Sequence, residues 1–124
     1  MIATLISSRN ECPYCADSHG FFLRMHGGSA KTLCAVQQSN LNSPLLTASE
    51  QALFIFVQKV NENSQGIENT DIKTLNDAGW NVGQIAEAIH VAALFSTFNR
   101  VANAFGLKSQ GLLTLCESQL AANK

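Results

Sequence analysis

The apolar stretches of this sequence are set off by helix-capping residues, and the β-branched alternation expected of strands is nearly absent. That punctuation restricts the chain to an all-α fold. The deciding place is the run Ala52-Leu53-Phe54-Ile55-Phe56-Val57, which taken alone reads equally as a buried strand or as part of a helix. Thr47 and Glu50 just before it have the Thr-x-x-Glu spacing of a capping box, in which each residue satisfies the other's free backbone N–H, so a helix continuing to Val60 is predicted. Asn81 and Gln84 repeat that spacing ahead of a longer helix that ends before Gly106. Its Ile85, Ile89, Ala92 and Ala93 lie on one stripe, which makes it the candidate for the central helix.

The remaining elements follow from the same signals. The first residues read as the closing turns of a helix, with Ser7 to Asn10 as a short polar junction. A second helix starts near Cys12, where Pro13 suits a first turn that has no use for its missing N–H, and ends at Gly27-Gly28. Ser29 caps a shorter helix to about Gln38. Residues 39–44 and 61–69 read as polar linkers, and Thr70 as the cap of a helix that stops at Gly79. Ser109 is placed to open a last helix carrying Leu112, Leu113, Cys116 and Leu120. The expectation is one domain of about six helices.

With 124 residues, 46% of them hydrophobic and 14% charged, the chain has ample material for one core and some apolar surface to spare for partner subunits. Eight basic residues against nine acidic ones, with no basic run, argue against nucleic acid as a partner. The apolar opening, Met1 to Ile6, lacks a basic leader and is too short for an export signal, and the longest apolar run falls far below the roughly 20 residues of a membrane span. A soluble, cytoplasmic protein with no membrane partner is expected. In that setting four cysteines suggest chemistry and packing rather than a disulfide framework.

The chemistry is concentrated in Cys12-Pro13-Tyr14-Cys15-Ala16-Asp17-Ser18-His19. A cysteine at a helix start lies among unpaired N–H groups whose partial positive charge favours thiolate. Cys15, three residues on, is a surface neighbour of Cys12, so the two sulfurs can close a small disulfide. His19 stacks one further turn along on the same face and is placed to take the Cys15 proton directly or through one water. Activation matters, because a thiol with an ordinary pKa of about 8.5 is only a few per cent thiolate at neutral pH.

The Cys-x-x-Cys-x-x-x-His run preceded by Ser8-Arg9-Asn10 resembles the signature of the alkylhydroperoxidase D-like branch of the carboxymuconolactone decarboxylase superfamily. Two further stretches, Asp71-Ile72-Lys73-Thr74-Leu75-Asn76-Asp77-Ala78-Gly79-Trp80 and Phe98-Asn99-Arg100-Val101-Ala102-Asn103-Ala104-Phe105-Gly106-Leu107, are similar to the later helices of its peroxidase-related subfamily. The resemblance extends from Leu5 to about Leu107. It implies an all-helical homo-oligomer, trimer or hexamer, acting without a cofactor as an antioxidant thiol peroxidase or disulfide reductase. Cys15 would become the sulfenic acid, Cys12 would resolve it to a disulfide, and a lipoyl-type or other dithiol, or a peroxiredoxin, would exchange electrons with the pair. The family's relay also uses a glutamate on a preceding helix, upstream of Met1 here, for which Glu11, Glu50 and Glu87 are the available stand-ins. Tyr14 stands between the cysteines where the best-known member has histidine.

Other readings compete at several residues. Cys12, Cys15 and His19 with His26 or Cys34 would make a four-ligand zinc site, although a second Cys-x-x-Cys is lacking. His26 reads instead as a partner for a terminal helix carbonyl, Cys34 and Cys116 as packing residues, His90 as a hydrogen-bonded structural histidine, and Arg100 as a structural anchor. Phe54, Phe56, Phe95, Phe98 and Phe105 read as core or subunit interface. The alternative to an enzyme is a non-catalytic helical oligomeric module with a redox-sensitive cysteine pair. A lactone decarboxylase is the weakest reading, because those relatives generally lack the paired cysteines.

Overall fold

The computed structural model describes residues 1–113 of the chain. Among these the helices are α1 (Ile2–Arg9), α2 (Pro13–Met25), α3 (Ala30–Gln37), α4 (Ala48–Asn63), α5 (Asn69–Asp77) and α6 (Val82–Ala104), with a 3-10 turn at Ser64–Gly66 between α4 and α5. The described residues are all-helical, as the cap pattern requires. Both predicted capping boxes form: Thr47 Oγ1 accepts from the Glu50 N–H while the Glu50 carboxylate accepts from the Thr47 N–H, and Asn81 and Gln84 do the same. The run 52–57 is therefore helical. Its Leu53, Phe54, Phe56 and Val57 turn inward while Ile55 faces out.

Three boundaries differ from the expectation. Ser7 to Arg9 belong to α1, whose Ser7 is fully buried, so the polar junction shrinks to Asn10 and Glu11. Helix α4 runs on through Asn63 into the 3-10 turn, because Asn61 finds side-chain partners and need not leave the helix. Glu68, not Thr70, caps α5, since its backbone N–H is taken by Asp71, which also receives Lys59 at 2.7 Å. The predicted last helix lies, beyond Leu113, outside the described residues.

Five of these six helices end the same way: the residue after the C-cap has a positive φ, and two backbone N–H groups fold back onto the last turn. Gly27, Gly79 and Gly106 fill this position after α2, α5 and α6, where the absence of a Cβ makes the left-handed conformation inexpensive. Glu11 (φ 50°) and Ser39 (φ 54°) fill it after α1 and α3 without that freedom.

Helix α1 holds the centre, packing against α2, α3, α4 and α6. Its Leu5 and Ile6 are fully buried among Val36, Phe54, Val57 and Ala92. The long α6, the expected central element, instead flanks the core. Small residues on its inner side, Ala88, Ala92 and Ala102, let neighbouring helices approach, whereas Leu94, Phe98, Val101 and Phe105 remain exposed and Ala93 falls off the buried stripe. The α5–α6 corner is pinned to α4 by Trp80 Nε1 donating to the Ser49 carbonyl at 2.9 Å and Ser49 Oγ donating to the Ala78 carbonyl at 2.9 Å. No described helix is long and apolar enough to cross a membrane.

Candidate thiol site

The site begins with the way α1 ends. Glu11 in the left-handed conformation turns the chain so that its own N–H donates to the Ser8 carbonyl at 3.1 Å and the Cys12 N–H donates to the Ser7 carbonyl at 2.9 Å. Cys12 then takes the extended backbone of an N-cap (φ −100°, ψ 93°), with Pro13 in the first helical position. Cys15 sits one turn on, still within the ring of N–H groups that lack intrahelical acceptors. Both cysteines are reduced and buried, 1% and 6% exposed, and they pack together against Ala102 of α6 with Tyr14 alongside.

This environment sets their chemistry differently from the expectation. The Cys15 thiol is pushed up, not down: burial is the largest cause, the neighbouring Cys12 thiol adds to it, and Asn99 opposes it. Helix-terminus charge alone does not overcome removal of the sulfur from water. His19 is brought to the same cavity as Cys15, but its ring packs edge-on against Phe95 at 4.4 Å between centroids, and none of the described hydrogen bonds joins it to the thiol. Its pKa is lowered, first by burial and then by the N-terminal ammonium, so the imidazole is neutral near pH 7 and free to accept a proton.

The cavity has a volume of about 270 Å³ and an apolar wall. Cys15, Tyr14 and His19 open onto it from α2, and Phe95, Phe98 and Val101 from α6. A second cavity of about 190 Å³ lies on the other side of His19, beside Thr4 of α1, whose buried hydroxyl is unpartnered. The arrangement presents the Cys15 sulfur and the His19 ring to a small apolar chamber, with Cys12 packed against Cys15 outside its lining.

Two side chains that the sequence did not flag hold this region together. Asn99, inside a stretch used for the family resemblance, is fully buried; its Oδ1 accepts from Asn10 Nδ2 at 3.0 Å and its Nδ2 donates to Ser7 Oγ at 2.9 Å. Its neighbour Arg100 is exposed and donates along its own helix to the Ser96 carbonyl at 2.7 Å. Asp17 is 7% exposed, and its carboxylate accepts the backbone N–H groups of Gln110, Leu112 and Leu113 at 3.0 to 3.1 Å. An acid two residues past Cys15, inside the Cys-x-x-Cys-x-x-x-His run, was the available signal for it.

The remaining candidates fall elsewhere. His26 and His90 each bond the carbonyl four residues back, Phe22 and Ala86 respectively, and both are exposed, as their structural reading requires. Cys34 is exposed, contrary to its reading as packing, because the inner face of α3 is filled by Leu33, Ala35 and Val36. Cys116 lies outside the described residues. Among the described residues no three His, Cys, Asp or Glu side chains converge as a metal site would require. Glu50 is engaged in its capping box, Glu11 and Glu87 are exposed, and none of the three lines the chamber beside Cys15.

No protein-family model and no curated protein matches the sequence. Solved structures do match. An uncharacterized peroxidase-related protein from Silicibacter sp. TM1040 is 31% identical with a TM-score of 0.78, over 83% of this chain and 53% of that one. An uncharacterized peroxidase-related protein with an alkylhydroperoxidase AhpD core, from Ralstonia eutropha JMP134, is 25% identical with a TM-score of 0.82, over 88% of this chain and 57% of that one. A protein of unknown function from Agrobacterium tumefaciens, ATU0492, described as a candidate AhpD antioxidant-defence protein, is 25% identical with a TM-score of 0.79, over 87% and 73% of the two chains. The chain thus spans only about half the length of the first two, yet its helices superpose on theirs across most of its own extent. In fold, and in sequence at 25–31% identity over most of its own length, the chain is similar to the alkylhydroperoxidase D-like, peroxidase-related proteins.

Proposed function

We propose that this protein is a thiol-dependent peroxide reductase in which Cys15 attacks, Cys12 resolves and His19 handles the proton. The observation that carries the reading is the packed Cys12–Cys15 pair, of which Cys15 lines an apolar chamber that also holds the neutral imidazole of His19. Cys15 loses its proton into the chamber, where His19 accepts it directly or through a bridging molecule. The thiolate attacks the distal peroxide oxygen; the O–O bond breaks, the leaving alkoxide takes up a proton as alcohol, and Cys15 becomes the sulfenic acid. The Cys12 thiol displaces hydroxide from that sulfenic acid, releasing water and forming the disulfide. A dithiol of lipoyl type, or a partner thiol protein such as a peroxiredoxin, then restores both thiols while becoming a disulfide itself.

The uncovered apolar side of α6 supports assembly into a homo-oligomer, trimer or hexamer. The raised Cys15 thiol favours one competing reading, a non-catalytic module that keeps the pair as a redox-sensitive element. The test is peroxide consumption coupled to oxidation of dihydrolipoamide. Wild type should turn over and Cys15→Ser should lose at least 100-fold, on the order of a missing nucleophile. Equal rates in the two proteins would sink the proposal.

A further inference from the structure

The chamber beside Cys15 takes most of its lining from α2 and α6, but Leu107 belongs to neither helix. It begins a non-helical strap that leaves the end of α6 and reaches Leu113 on α2. We propose that Asp17 is a positioning residue that latches this strap to α2, so that Leu107 stays in the chamber wall and Cys15 is reached by small reactants in preference to bulky ones. The proposal rests on the reading of Cys15 as the reacting group and adds control of what reaches it.

The strap is fastened at two places. At its start, beside Gly106 in the left-handed conformation (φ 68°), the Leu107 N–H donates to the Ala102 carbonyl at 3.0 Å. At its far end the Asp17 carboxylate accepts three backbone N–H groups, those of Gln110 and Leu112 on Oδ2 and that of Leu113 on Oδ1, at 3.0 to 3.1 Å. Only Lys108 and Ser109 lie between the fastenings. Gly111, also left-handed (φ 72°), lets the chain curl round the carboxylate, and its own N–H goes to Ser109 Oγ at 3.1 Å.

Gly20 completes the seat. A Cβ at that position would lie 2.9 Å from Leu113 Cδ1, so the bare backbone of α2 leaves room for the leucine. At roughly 3.6 residues per turn, Asp17 and Gly20 fall on the side of α2 opposite the one carrying Tyr14, Cys15 and His19. The strap therefore passes from the chamber round α2 to its other side. Lys108, Ser109 and Gln110 are exposed, so the docking relies on Leu113 and on the charge-assisted bonds to one buried carboxylate. Without those bonds Leu107 keeps a single backbone bond at a helix end, where local opening is easiest. Closed, the chamber has a volume of about 270 Å³, and a bulkier reactant needs Leu107 withdrawn.

The reduced protein is treated with N-ethylmaleimide or with N-(1-pyrenyl)maleimide, which share a reacting group and differ in bulk, and labelling is followed at Cys15 by tandem mass spectrometry. Exposed Cys34 in the same molecule supplies the unhindered ratio of the two rates. In wild type the pyrenyl-to-ethyl ratio at Cys15 should fall well below that at Cys34. Asp17→Asn should raise the Cys15 ratio about tenfold, the equivalent of about 1.4 kcal/mol in strap opening. Leu107→Ala should raise it as well. Trp80→Phe, which loosens the α5–α6 corner instead, should leave it in place, whereas a merely structural role for Asp17 moves the ratio equally in both. That outcome, an unchanged ratio in Asp17→Asn, or a wild-type ratio equal to that of Cys34 overturns the proposal. If Asp17→Asn does not fold, Gln110→Pro decides it, because it removes one N–H from the latch without touching α2, and the ratio should again rise. No peroxide is involved, so a protein that shows the change in ratio but reduces no peroxide keeps this inference and loses the peroxidase reading.

Discussion

Replacing Asp17 by Asn keeps the shape of the side chain and removes one acceptor. In the wild type, Oδ2 accepts the N–H groups of Gln110 and Leu112 at 3.1 and 3.0 Å, and Oδ1 accepts that of Leu113 at 3.0 Å. An asparagine can present its single oxygen to the first two or to the third. In either orientation its NH₂ meets at least one backbone N–H head on, leaving a part-buried donor facing another donor at a cost of about 2 kcal/mol. Burial acts to raise the carboxyl pKa of Asp17, but the N–H bonds from Leu113, Leu112 and Gln110, with Ser109, outweigh it and hold the group below its usual value of 3.8. The contribution is thus fully present above the unfolded value near 3.8 and is lost as pH falls through the lower folded value. Urea unfolding at pH 7 should show Asp17→Asn less stable by about 2 kcal/mol, with faster hydrogen exchange at Gln110, Leu112 and Leu113. A difference below about 0.5 kcal/mol, the usual range for an inconsequential substitution, with those three amides still protected, would refute the reasoning.

Two further outcomes follow from the same geometry. Glu11→Gly should stabilise the protein by about 1 kcal/mol in urea unfolding, because a left-handed conformation costs an L-residue about 1–2 kcal/mol and glycine returns part of that as chain entropy. A neutral or destabilising result would mean that Glu11 is held by more than backbone geometry. His19 should titrate below 6.5 when its ring protons are followed by NMR, since burial disfavours the imidazolium. Its share of stability is then complete above 6.5 and declines as pH falls toward the folded value, a slope that His19→Gln should remove.

The helices were legible because their signals are local. Thr47 with Glu50, Asn81 with Gln84, Pro13 at a first turn and glycine past the ends of α2, α5 and α6 each satisfy backbone groups within a few residues, so short spacings suffice to read them. The same holds for Cys12, Cys15 and His19, which three- and four-residue spacings place on one side of α2. Chain order alone does not show what that side faces. Helix α1 rather than α6 occupies the centre, because Ala88, Ala92 and Ala102 allow close approach, and that could be weighed only with the other helices in place. The thiol illustrates the limit most clearly. Spacing predicts an activated Cys15, whereas tertiary burial raises its pKa, and the opposing group, Asn99, arrives from a helix more than eighty residues further along the chain. Desolvation depends on which surfaces meet, so only the tertiary structure decides how acidic the sulfur is.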